Sequence, residues 1–149
     1  MTAILLSVQP RFATAILAGT KTAEVRRRFP DQPAGTKIYL YSSSPQRAVI
    51  GTVALHSVDR PDASDVWDTY GHVIAIDRQP LDTYLGGVPI PAILQVRSPV
   101  RWEVPLPLSE LRSHILIEPP QSFRYIDEER AVLLDAWEAK TLAQSAALV

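Results

Sequence analysis

Four cations and one carboxylate fall within eight residues of this chain: Lys21, Glu24, Arg26, Arg27 and Arg28. Lysine offers a compact point charge, suited to a phosphate or to activation by a neighbour. Glu24 can pair with Lys21 or Arg26, act as a general base, or accept hydrogen bonds from the edge of a nucleobase. Arg26 carries a planar fork that matches phosphate oxygens. Arg27 and Arg28 read as surface charge or as phosphate contacts of low specificity. A strand this polar is poor core material. The segment is therefore expected to line a site for an anionic or polar ligand, a nucleotide or nucleic acid.

Two further polar runs have the chemistry to complete such a site. Ser42, Ser43 and Ser44 end an apolar run and can offer hydroxyls and backbone N–H groups to an anion, or form a plain turn. Gln121, Ser122, Arg124 and Tyr125 follow a proline stop, where Gln121 can read a base edge and Tyr125 can stack or donate. Phe123 and Tyr125 equally suit a strand core. Trp67, Trp102 and Trp137 are scattered and read as packing. His56, His72 and His114 have no ligand spacing, and Gly86-Gly87 lacks that of a phosphate loop. No metal and no cofactor are expected.

The elements that must position these groups are short. Ala3–Val8 reads as a strand, and Pro10 sits where a helix begins. Phe12, Ala13, Ile16 and Leu17 give Arg11 to Ala18 one buried stripe, closed by Gly19 in a left-handed turn. Thr22–Arg28 reads as a strand with Ala23 and Val25 on one face and Thr22, Glu24, Arg26 and Arg28 on the other, so Glu24 and Arg26 can interact. Residues 29–35 form a loop. Lys37–Ser42 and a strand within Arg47–Asp59 make an antiparallel hairpin, with Gly51 marking a bulge or a close backbone approach. Asp62–Tyr70 and Arg78–Leu85 read as short helices, with Ile74–Ile76 ambiguous. Ile90–Val96 returns to strand, extended by Pro99–Trp102 after a break. Pro107–Leu111 is one helical turn, and Pro119–Ile126 is extended. Asp127 opens a last helix that buries Leu133, Leu134 and Trp137 and frays after Leu142.

A chain of 149 residues with 46% hydrophobic and 21% charged content fits one domain, taken as 1–149 with a core at about 4–126 and a C-terminal helix at 127–142. No apolar run is long enough to span a bilayer, so no membrane contact is expected. The opening lacks the basic and small-residue marks of a signal peptide, and there are no cysteines, which points to a cytoplasmic protein. The net charge of −1 requires any nucleic-acid contact to come from a local patch. Thirteen prolines favour short strands and many turns. The pattern suits an α+β domain: a small mixed β-barrel with short helices packed around it.

Five tracts, in order, resemble the ASCH domain family of the PUA-like superfamily. They are Leu5-Leu6-Ser7-Val8-Gln9-Pro10; the turn from Gly19 to Arg27, of the form G-x-K-x-x-E-x-R-R; Tyr41-Ser42-Ser43-Ser44-Pro45 followed by Val49-Ile50-Gly51; Leu81-Asp82, Tyr84 and Gly86; and Pro119 to Tyr125. The resemblance implies a PUA-like pseudobarrel with a cleft on one side that binds RNA or nucleotides, and it adds Tyr84 to the candidate pocket. Some members are enzymes. One branch hydrolyses N4-acetylcytidine, using a lysine and a threonine three residues later; others are described as ribonucleases. Lys21 stands at the lysine position, but Glu24 replaces the threonine.

Three readings follow. In the first, a binding module takes RNA or a modified nucleoside, with Lys21, Arg26 and Arg124 on phosphate and Glu24, Gln121 and Ser43 on the base. In the second, a hydrolase uses Lys21 and Glu24 as a proton-transfer pair on an amide or phosphodiester. In the third, an interaction protein has lost its ligand. The first is preferred, with the second as its alternative. Protein partners and oligomeric state are not readable from the residues.

Overall fold

The computed structural model describes residues 2–147. Six strands form one mixed sheet: β1 (Ala3–Val8), β2 (Ala23–Arg26), β3 (Lys37–Ser42), β4 (Ala48–Asp59), β5 (Ala92–Pro107) and β6 (Phe123–Ile126). Their spatial order is β2-β5-β4-β3-β1-β6. Only β1 and β3 run parallel; the other neighbours are antiparallel. The sheet curls into a half-barrel with short helices around it, as the alternating pattern predicts.

Both faces of the central strands are buried. Ile4, Leu6 and Val8 of β1 join Ile38 and Leu40 of β3 in an inner core covered by α1 (Pro10–Ala18). Leu5, Tyr39, Tyr41, Trp102 and Leu106 form an outer core covered by α5 (Glu128–Ala147) and by α4 (Leu108–Glu110), which runs on as a π turn over Leu111–Ile115. Two-sided burial explains why β1 is a continuous apolar run rather than an alternating one. A third cluster packs Ala23 and Val25 of β2 against Val66 of α2 (Val66–Tyr70) and Leu81 of α3 (Arg78–Tyr84).

Two glycines hold special positions. Gly19 ends α1 at φ +82°, and its N–H donates to the Ile16 carbonyl at 3.1 Å. Gly51 sits where the β4–β5 register shifts; a Cβ there would lie 2.4 Å from the Val100 carbonyl oxygen and 2.8 Å from Leu17. Both the bulge and the close approach are present.

Several boundaries differ from the sequence reading. β2 is shorter, stopping at Arg26, where its pairing with β5 ends at Ala92. β5 is one bent strand of 16 residues, because Ser98, at φ +55°, and Pro99 are absorbed in a bulge opposite β4. The 62–70 helix splits into a 3-10 turn over Ala63–Asp65 followed by α2. Helix α5 spans Glu128–Ala147, past the expected end at Leu142, and the residues beyond 147 lie outside the described ones. Within α5 Leu134 is buried in the outer core, whereas Leu133 is 43% exposed, since neighbouring positions on a helix cannot both face the sheet. Lys37 anchors the helix through Asp135 at 2.9 Å and Glu138 at 2.8 Å. Among the described residues no helix is long and apolar enough to cross a membrane.

Candidate functional site

β2 does what its alternation predicts. Ala23 and Val25 face the α2–α3 cluster, which turns Glu24 and Arg26 together toward the inner mouth of the half-barrel. There the Arg26 guanidinium donates to Glu24 Oε2 at 2.9 Å and to the Ser7 carbonyl at 2.8 Å. Its other terminal nitrogen lies 3.4 Å from Ser122 Oγ. Arg26 thus ties β2 to the end of β1 and to the segment ahead of β6, two sheet edges that are far apart in strand order.

The opposite wall hangs on β1. Ser7 N–H donates to the Ser122 carbonyl at 2.9 Å, and Ser7 Oγ to the Pro120 carbonyl at 2.6 Å. These bonds carry the β1–β6 pairing past its last registered pair, Leu6 with Phe123, and bring Gln121 and Ser122 to the mouth. Ser43 arrives from the end of β3, its N–H donating to the Val8 carbonyl at 2.9 Å. The result is a cleft of about 360 Å³ into which Glu24, Arg26, Ser43, Tyr84 and Gln121 all open. Residues from about 24 to 121 in the chain meet there, as one shared pocket requires. A second cavity, of about 540 Å³, adjoins it and is lined by Arg27, Arg28 and Ser122.

Lys21 is placed differently from the expectation. It is fully buried, behind Glu24 rather than in the cleft. Its ammonium donates to the Ile74 carbonyl, lies 3.3 Å from Glu24 Oε1, and sits 4.8 Å from the centre of the Phe12 ring. A free phosphate-binding lysine needs solvent; this one is covered by the Val73–Ile76 segment, whose Val73 carbonyl also accepts the Thr22 and Ala23 N–H groups. Burial pulls the Lys21 pKa below the ordinary lysine value. Glu24 opposes that drop, while Arg26 and Arg11 add to it. Glu24 is therefore clamped between two cations, one sealed and one facing the cleft.

Five other candidates do not line the cleft: Ser122 lines the adjoining cavity, and the remaining four lie elsewhere. Ser42 follows Leu40 on the inner face of β3 and is buried, its Oγ without a hydrogen-bond partner. Ser44 is exposed in the turn after β3. Arg124, on the other face of β6 from Phe123, donates to the Glu118 carbonyl at 3.2 Å. Tyr125 is 49% exposed, packs edge-on to Phe123, and accepts from Gln32 at 3.0 Å. The cause is the same for both β6 residues: β6 pairs with β1 from Leu6 back to Ala3, so each step along it leads away from the mouth. Trp102 lies in the outer core and Trp67 and Trp137 pack at cluster edges, as packing residues should.

The cleft also recruits groups that the sequence reading left unassigned: Ser7, Gln9, Arg11 and Phe12 at the β1–α1 junction, and Ile76 and Pro80 ahead of and within α3. The signal for Ser7 and Gln9 is the Leu5-to-Pro10 tract, which the sequence presents as a strand end, a helix start and one of the ASCH-like tracts; Arg11 and Phe12 follow in the helix, where Phe12 reads as part of the buried stripe. Among the described residues no group of three or more His, Cys, Asp or Glu is placed to hold a metal ion.

The mixed half-barrel has structural neighbours with ASCH and PUA-like folds. The chain belongs to the ASCH domain family. The family model described as "ASCH domain" matches residues 6–76. A curated relative, the "ASCH domain-containing ribonuclease" of Zymomonas mobilis, is 31% identical over 127 residues, covering 83% of this chain and 84% of that protein. The crystal structure of ASCH from Zymomonas mobilis superposes with a TM-score of 0.83 at 28% identity, over 90% of this chain and 94% of that one. Human THYN1, solved in complex with DNA containing 5-methylcytosine, shares the fold at a TM-score of 0.57 and 12% identity, over 93% and 98% of the two chains.

Proposed function

We propose that this chain binds single-stranded RNA, holding a base in the cleft and phosphate against Arg26. The observation that carries this reading is the meeting of Glu24, Arg26, Ser43, Tyr84 and Gln121 in one cavity. Each group has a part that its chemistry suits. Gln121 and Ser43 offer donors and acceptors to a base edge, Tyr84 offers a stacking face, and the Arg26 fork offers charge-assisted hydrogen bonds to phosphate. Glu24, held by Arg26 on one side and Lys21 on the other, fixes the fork in place. The relative's description as a ribonuclease supports RNA over DNA.

A second reading, that the bound RNA is also cleaved, is favoured by one further observation. Lys21 and Glu24 are in direct contact, with the lysine pKa lowered by burial. In that reading Glu24 exchanges a proton with the ligand across the cleft wall, Lys21 acts as the positioning residue that balances its charge, and Arg26 meets charge developing on the phosphate. Hydrolysis of an acylated nucleoside fits less well, because Glu24 replaces the hydroxyl which that branch uses.

The test is binding of a fluorescent single-stranded RNA alongside electrophoresis of the RNA after incubation. Arg26→Ala is expected to weaken binding about tenfold or more, the loss of one charge-assisted contact. RNA that neither binds nor fragments would sink both readings. Fragmentation that persists undiminished in Glu24→Gln would remove the second alone.

A further inference from the structure

The cleft and its neighbour share a rim. Arg26, Tyr84 and Gln121 line both cavities. On the inner side of that rim lie a carboxylate, an aromatic ring and neutral hydrogen-bonding groups. On the outer side Arg27 and Arg28 follow Arg26, both exposed, where β2 has ended and the backbone turns out of the sheet. Gly87, Val88 and Ser122 complete the lining of this shelf, and among the described residues no carboxylate lines it. A site whose inner half suits a base and whose outer half is cationic, uncompensated and wider than the cleft matches a ligand that continues beyond its base.

We propose that the shelf seats the phosphates flanking the base held in the cleft, so that the ligand is a nucleic-acid strand with one unstacked base rather than a free nucleoside or nucleotide. This rests on the RNA reading above and deepens it. The argument is one of size and charge. A cleft of about 360 Å³ falls at the small end of ligand pockets, about 300–1,000 Å³, and takes a base only when it is out of a duplex stack. The three consecutive arginines then cross the rim in the direction the backbone must leave. Tyr84, on the shared rim and 41% exposed, divides the two halves and gives the base, or its neighbour, a face to stack on.

The experiment compares cytidine, cytidine 3′-monophosphate and a five-nucleotide single-stranded RNA, each titrated against the full chain at several salt concentrations. The pentanucleotide is expected to bind at least about tenfold more tightly than the monophosphate at low salt, with a logarithmic salt slope set by about three phosphates, near −2. Arg27→Ala/Arg28→Ala is expected to lower that slope by about 1.4, two phosphates at about 0.7 each, and to weaken the pentanucleotide by a larger factor than the monophosphate, whose single phosphate can stay on Arg26. Equal affinity for the monophosphate and the pentanucleotide overturns the proposal while leaving the cleft reading intact. So does an unaltered slope in the double variant. If none of the three probes binds, both the proposal and the reading beneath it fail. Thermal unfolding of the double variant guards against a folding defect, since both side chains are exposed and their loss should leave the transition in place.

Discussion

Lys21 and Arg28 carry the same charge, lie seven positions apart, and have opposite surroundings. Lys21 is fully buried, with Glu24 at 3.3 Å and the Ile74 carbonyl as its other partner. Arg28 is exposed on a shelf that, among the described residues, no carboxylate lines. A buried ammonium must be paired and hydrogen-bonded or it gives up its proton. A solvated guanidinium needs no such partner and remains available to an anion from outside. The difference suits one basic tract to two kinds of work: the inner cation braces the cleft wall, and the outer ones are those that the proposed reading sets against the ligand.

The largest expected effect is on the inner side. Glu24→Ala leaves the Lys21 ammonium with only a carbonyl and frees the Arg26 fork from its brace. Removing one partner of a buried pair costs about 3–5 kcal/mol. Urea denaturation should show the midpoint falling at constant slope. A loss below about 1 kcal/mol, the size of a surface pair, would mean that the wall is solvated and that the contrast with Arg28 is not real.

On the outer side the pattern should reverse. Tyr84→Ala removes a ring that is 41% exposed, so stability should stay within about 0.5 kcal/mol. Affinity for single-stranded RNA should fall by about 1–3 kcal/mol, the worth of one stacked base. Unchanged affinity would place the base elsewhere. A large loss of stability would make Tyr84 a packing residue of the α2–α3 cluster.

The division between inner and outer cations was not legible in the residues, although much around it was. Alternation in Ala23-Glu24-Val25-Arg26 fixed which groups share a face, and the Glu24–Arg26 contact followed from that periodicity alone. Lys21 lies just outside the strand, in a turn where a lysine is ordinarily solvated. What buries it is a carbonyl from Ile74, more than fifty positions later, in the stretch whose local pattern was ambiguous. Arg124 and Tyr125 were misplaced for a related reason. Their polarity matched the site, but the direction in which β6 leaves the cleft depends on its register with β1. Ser42 and Ser43 show the limit at its finest: one step of the pleat puts the first in the core and the second at the mouth.

The smallest effect is the one that tests the inner cation most directly. Lys21 has a folded pKa below 10.5 because burial disfavours its charge, and Glu24 narrows the drop. Between that folded value and 10.5 the unfolded chain holds a proton that the folded chain has released. Stability therefore gains with rising pH in that window. Tyr70 works against it: burial and its hydrogen bond to Asp59 push the phenol up to about 12, so its contribution is lost between pH 10 and 12. Lys37, held above the ordinary lysine value by Glu138 and Asp135 despite its partial burial, is likewise lost at high pH. The wild type alone would mix these opposing slopes. Lys21→Met keeps the volume, leaves Glu24 its bond to Arg26, and removes only the inner titration. The stability of the wild type minus that of Lys21→Met should rise as pH climbs toward 10.5 and then level off. A difference that stays flat would mean that Lys21 keeps its proton as readily as a solvated lysine, and the two cations would then differ in position but not in chemistry.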